Sequence, residues 1–211
     1  MTRRIPITGA SVAGNTAARG LVGGGTKEVD RSRAPDRSRT EEQRAAGLSP
    51  LAALGIVGAV LGVSAVVGRR NAPDPSHPGI RRWYRKLDKP GYTPPDAAFG
   101  AVWPVLEAGL AVGGYRLLRR PRSAARNTAT GLWLLNTAMI GGWTALFFRE
   151  KKLGASAVAS GAMIASSAAY VAAAAKEDRV AAAVGVPFVA WLGFATVLAE
   201  RIWRDNPREG G

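Results

Sequence analysis

Five long stretches almost free of charge divide residues 48–203 of this 211-residue chain, and no other feature limits its possible folds so sharply. The first, residues 48–68 (LSPLAALGIVGAVLGVSAVVG), carries no charged residue over 21 positions. As a helix rising about 1.5 Å per residue it would reach roughly 30 Å, the thickness of a bilayer's hydrocarbon core. The others cover about 97–118, 127–148, 153–175 and 180–203, the fourth being almost wholly Ala, Ser, Gly and Val. Backbone polar groups in lipid must pair within their own segment, so these spans are predicted to be helices. The expected fold is an all-α membrane protein, a five-transmembrane-helix bundle over 48–206 with a disordered N-terminal tail. Average composition hides this: mean hydropathy is zero because polar residues are gathered in the tail.

Connections between the spans are unequal. About 28 residues join the first pair, and the later loops have about 8, 4 and 4. Short loops force antiparallel neighbours. The long one, running into the second span, is the functional candidate. An odd number of spans puts the termini on opposite sides. Cations are balanced between those sides, so the positive-inside rule assigns no orientation.

Residues 1–47 hold nine basic and five acidic residues and no aromatic one. Such a segment cannot bury enough surface to offset its ordering entropy, and it reads as a disordered basic tail. Arg3-Arg4 has the opening of a twin-arginine export signal, but Asn15 and Arg19 interrupt the stretch that follows. Residues 207–211 read as a short C-terminal tail.

The net charge of +14 comes from 29 Lys and Arg residues, nearly all in the tail or between apolar runs. That placement suits lipid headgroups as partners and leaves no packed soluble face for nucleic acid. With no cysteine and one histidine, disulfides, thiolate zinc sites and His-rich metal centres are excluded. His77, in the Pro-rich PDPSHPG run, reads as a solvated loop residue. Small residues mark helix contact faces: Gly58 and Gly62 in the first span, and Gly154, Ala157, Gly161 and Ala165 in the fourth. They fit intramolecular packing or a homodimer.

Glu107 is the one charged residue near the middle of a span. A central carboxylate costs about 3 kcal/mol to insert, so it must face protein or a wet cavity. Trp103 and Phe99 lie one and two turns before it on the same stripe. Asn136, Ile140, Trp143 and Phe147 share one face of the third span, as Pro187, Trp191, Ala195 and Leu198 do in the fifth. Trp103, Trp143 and Trp191, placed inward, could stack on a flat aromatic ligand, or simply pack as core. The loop before them adds Trp83, Tyr84, Arg81, Arg82, Arg85, Lys86 and Lys89, with Lys89-Pro90 and Pro94-Pro95. Prolines reduce the ordering cost of a lid. The cations could meet ligand carboxylates or lipid phosphates.

The pattern W-Y-x-x-L-x-K-P-x-(aromatic)-x-P-P-x-x-x-F-x-x-V-W-x-x-L, met by Trp83 through Leu106, resembles the TspO/MBR family (tryptophan-rich sensory protein, translocator protein, peripheral-type benzodiazepine receptor). W-T-x-L-F-F at Trp143–Phe148, Asp178, P-x-x-x-W-x-x-F-A at Pro187–Ala195 and Asn206 extend the match. Tyr92 stands where that family usually has Trp, and Glu107 where it has Tyr. The resemblance implies five spans and a pocket closed by the first loop. Its lining would be Trp83, Tyr92, Phe99, Trp103, Glu107, Asn136, Trp143, Phe147 and Trp191, with the loop cations on ligand carboxylates. It implies a porphyrin ligand (protoporphyrin IX or haem-type), with no cofactor required, for a sensor, regulator or transporter. Light- and oxygen-dependent porphyrin breakdown at Trp103 and Trp191 is the enzymatic alternative, and no acid–base pair or metal site supports it. A non-catalytic membrane interaction protein is the third reading. High Ala, Arg and Gly usage points to a bacterial cell membrane.

Overall fold

The structure, a computed structural model, describes residues 46–209; most of the predicted tail, residues 1–45, and residues 210–211 lie outside the described residues. Helix occupies all five predicted spans: α1 Pro50–Asn71, α3 Asp96–Arg119, α4 Ala124–Thr144, α5 Leu153–Ala175, and the pair α6 Arg179–Ala183 and α7 Val186–Asp205. A shorter helix, α2 Pro78–Lys86, lies in the first loop. Local chemistry sets the starts. Ser49 accepts a hydrogen bond from the Ala52 amide ahead of Pro50, Ser123 from Arg126, and Asp178 from Ala181. Pro94-Pro95 hold the chain extended until α3 begins at Asp96.

Two expectations need correction. The fifth span is not one helix, because Val184 and Gly185 turn between α6 and α7. Pro187 lacks the amide that would bond back to Ala183, so α7 restarts with proline in its first turn. Nor is the first loop irregular from Trp83 onward, since Pro78 opens a helix that continues to Lys86. Its pattern is amphipathic: Trp83 is buried, whereas Arg82, Arg85 and Lys86 are exposed.

In the bundle, α1 packs on α3 and α4, while α5 lies between α4 and α7. The end of α4 widens into a π turn, Ala145–Arg149, and Lys151 at φ 57° reverses the chain into α5. Hydroxyls tie helices together: the buried Ser64 Oγ donates to the Thr137 carbonyl at 3.0 Å, and the half-buried Ser166 Oγ to Asn136 Oδ1 at 2.7 Å.

The glycines that allow close helix approach are not those singled out by spacing in α1. A Cβ added at Gly58 or Gly62 would meet nothing within 4 Å. At Gly113 it would lie 2.2 Å from the Tyr170 hydroxyl, and at Gly114 2.4 Å from the Trp133 ring. Trp133 is fully buried and its Nε1 donates to the Leu110 carbonyl at 2.8 Å, so it cannot retreat cheaply. Gly114→Ala is expected to cost about 2 kcal/mol by overpacking. A melt of the monodisperse protein checks this, and an unchanged Tm would show that the ring has room to shift.

One charge cluster closes the end of the bundle where α1 begins. Asp178 is buried and receives Arg116 Nε at 2.8 Å, Arg120 Nη2 at 2.8 Å and the Ala181 amide at 2.9 Å. Burial alone would push its carboxyl up, but the Arg116, Ala181 and Arg120 contacts outweigh that and hold it well below the usual carboxylate range.

Candidate ligand site

At the opposite end lie α2 and the segment to Pro95, the stretch expected to act as a lid, fastened by its own aromatic residues and by the C-terminus. Trp83 meets Phe147 edge-on at 6.1 Å, and Lys151 Nζ lies 5.6 Å from its ring centre. Its Nε1 donates to Glu209 Oε2 at 2.9 Å. Tyr84 meets Phe148 at 5.3 Å and Phe147 at 6.4 Å. Burial, aided by the Asp96 charge, pushes the Tyr84 phenol up to about 12. Lys89 Nζ caps α2 by donating to the Tyr84 and Leu87 carbonyls at 2.7 and 3.0 Å, and it lies 4.7 Å from the Tyr84 ring centre. Burial lowers the Lys89 ammonium against the opposing pull of Asp96 and Asp88.

Asn206 completes the fastening. Its Oδ1 accepts from the Asp88 amide at 2.9 Å, while its Nδ2 donates to the Asp88 carbonyl and to the Ile202 carbonyl, both at 2.8 Å. Pro207–Glu209 form an exposed turn, from which Glu209 reaches Trp83 of α2.

Beneath the lid the predicted aromatic residues gather into two connected groups. Trp83, Phe147, Leu153, Leu198 and Ile202 form a buried cluster on which Phe99, Trp143 and Phe194 pack. Trp103, Trp143 and Trp191 pack on the main core, so Trp143 joins both groups. Trp143 stacks on Phe147 at 4.8 Å and donates Nε1 to the Ser156 carbonyl at 3.0 Å. Phe99 of α3 meets Trp191 of α7 edge-on at 5.7 Å, and Phe194 follows at 5.4 Å from Trp191. The Trp191 Nε1 is buried yet has no hydrogen-bond partner among the described residues.

Other predicted residues stand apart. Tyr92 is exposed on the lid. Asn136 is fully buried and spends its amide on Ser166 and on the Leu132 carbonyl, which makes it a joint between α4 and α5. Glu107 is half-buried on α3, within the field of Arg69. Arg82, Arg85 and Lys86 are exposed and Arg81 is half-buried. Phe194 was legible as the residue one turn after Trp191, whereas nothing local marked Glu209.

A family model described as the TspO/MBR family matches residues 52–204. The chain belongs to the TspO/MBR family. With its five long apolar helices, it is therefore an integral membrane protein of translocator or sensor type. The human translocator protein is 30% identical over 131 residues, covering 59% of this chain and 75% of the human one. The pig translocator protein is 30% identical over 136 residues, covering 61% and 78%. The tryptophan-rich protein TspO of Bacillus cereus is 27% identical over 126 residues, covering 60% and 82%. The TspO/MBR match includes Trp103, Trp143, Asp178 and Trp191, but it ends before Asn206 and Glu209.

Proposed function

We propose that this TspO/MBR protein binds a porphyrin-type tetrapyrrole, or a related flat hydrophobic ligand, between α3 and α7 under the α2 lid. There, in a bacterial cell membrane, it acts as a sensor, regulator or transporter. The observation that carries the reading is the buried Trp191 Nε1 with no partner among the described residues. A buried indole N–H ordinarily finds an acceptor, so an orphaned one beside Phe99 suits a ligand bearing ring nitrogens or carboxylates. Trp103 and Trp143 on the same core supply further stacking surface. The exposed cations Arg82, Arg85 and Lys86 on α2 suit the ligand's carboxylates at the mouth. Lys89 is already spent on backbone carbonyls.

Protoporphyrin IX titrated into the purified protein is expected to quench its tryptophan fluorescence. Trp103→Phe combined with Trp191→Phe is expected to weaken binding about tenfold, at roughly 0.5–1.5 kcal/mol per aromatic contact. Binding followed by porphyrin absorbance avoids counting the lost fluorophores. An unchanged Kd in the double variant would remove both residues from the site.

A further inference from the structure

Away from the lid, at the end of the bundle where α3 and α5 finish, lies an open pocket of about 460 Å³. Arg116, Arg120, Lys176 and Arg179 line it with Glu177, Asp178, Ala175 and Val180. We propose that this pocket binds the phosphate of an anionic membrane lipid headgroup.

Four cations face two carboxylates there, an excess of two positive charges, and both carboxylates are already engaged. Asp178 is saturated by Arg116, Arg120 and the Ala181 amide, and Glu177 accepts a hydrogen bond from Ser123 Oγ. Asp178 therefore acts as a fixed brace. It holds Arg116 by Nε, and Arg120 by Nε and Nη2. Among the described residues, the remaining Nη groups make no protein hydrogen bond, and Lys176 and Arg179 make no ion pair. Both guanidiniums are about two-fifths exposed, at 39% and 45% of the side chain. Braced guanidinium forks beside two exposed cations match the oxygens of a phosphate ester.

Placement favours lipid over free phosphate. The pocket opens at the ends of membrane-spanning helices, the level at which headgroups lie. Its rim is also partly apolar, because Ala175 and the half-exposed Val180 line it beside the cations. A headgroup joined to acyl chains needs that pairing, and a free anion does not.

The test uses the full chain in phosphatidylcholine nanodiscs doped with phosphatidylglycerol, with bound lipid counted by native mass spectrometry after gentle release. Wild-type protein is expected to retain phosphatidylglycerol in preference to phosphatidylcholine. Lys176→Gln with Arg179→Gln, both on exposed side chains, is expected to lower that preference about fivefold per cation, roughly 25-fold together. Arg70→Gln with Arg149→Gln, an equal charge loss at the other end, should leave it unchanged. Equal losses in the two double variants would mean diffuse surface attraction and overturn the pocket. Displacement of the lipid by millimolar inorganic phosphate would overturn the lipid as its source. No preference in the wild type would overturn the site altogether.

Discussion

Asp178→Asn is expected to lower stability by about 3 kcal/mol at neutral pH and to flatten the acid side of the stability profile. The substitution keeps the side chain's shape and its acceptor for the Ala181 amide, so the cap survives and the lost charge is isolated. What remains is a buried amide facing Arg116 and Arg120, which otherwise converge on one carboxylate. Both guanidiniums are partly exposed and can rehydrate, which places the cost at the low end for a broken buried pair. The sign of the pH effect follows from the direction of the shift. The folded-state carboxyl titrates below its unfolded value of about 3.9, so its contribution is complete above that value. It is withdrawn as pH falls through the window below. The variant has nothing to withdraw. Thermal unfolding in detergent, stepped from pH 7 to pH 2, should show the two proteins furthest apart at neutral pH, with the gap starting to narrow only below about pH 4. Parallel curves would mean that Asp178 acts only as a cap.

The membrane architecture was legible because its cause is local: length without charge needs no knowledge of partners. The aromatic stripes were legible for the same reason. Helical period places Phe99 over Trp103, and Trp143 over Phe147, before any packing is known. What escaped depends on which residues meet. Gly58-xxx-Gly62 and Gly109-xxx-Gly113 have identical spacing, yet only the second pair lies close against neighbouring chain, at Tyr170, Ala181 and Val184. Asn136 lies on the same face as Trp143 and still turns its amide to Ser166, because an acceptor buried inside the bundle takes the nearest hydroxyl. The α2 helix was hidden by the prolines around it, although Pro78 suits a helix's first turn as well as it suits a loop. The pairs that close the two ends of the bundle join residues 58 to 126 positions apart. No periodicity within a single segment could announce them.

The fastening of the lid gives the second large effect. Asn206→Ala is expected to free the lid while leaving the bundle intact. The Asn206 side chain satisfies both backbone polar groups of Asp88, and its truncation leaves them to water, since Asp88 itself is exposed. Losing these two bonds should cost about 2 kcal/mol, at roughly 0.5–1.5 kcal/mol for each. That cost falls on lid opening and not on global unfolding, because among the described residues the Asn206 side chain otherwise hydrogen-bonds only the Ile202 carbonyl of its own helix. Amide exchange in peptides covering residues 83–95 should therefore accelerate about 30-fold, since each 1.4 kcal/mol is a factor of ten. Peptides from α5 should not change. Glu209→Gln, which keeps an oxygen acceptor for the Trp83 indole, should produce only a small part of this effect. Faster exchange in every helix would make Asn206 a support of the whole bundle. No acceleration at all would show that Trp83 and Tyr84, anchored on Phe147 and Phe148, hold the lid without the C-terminus.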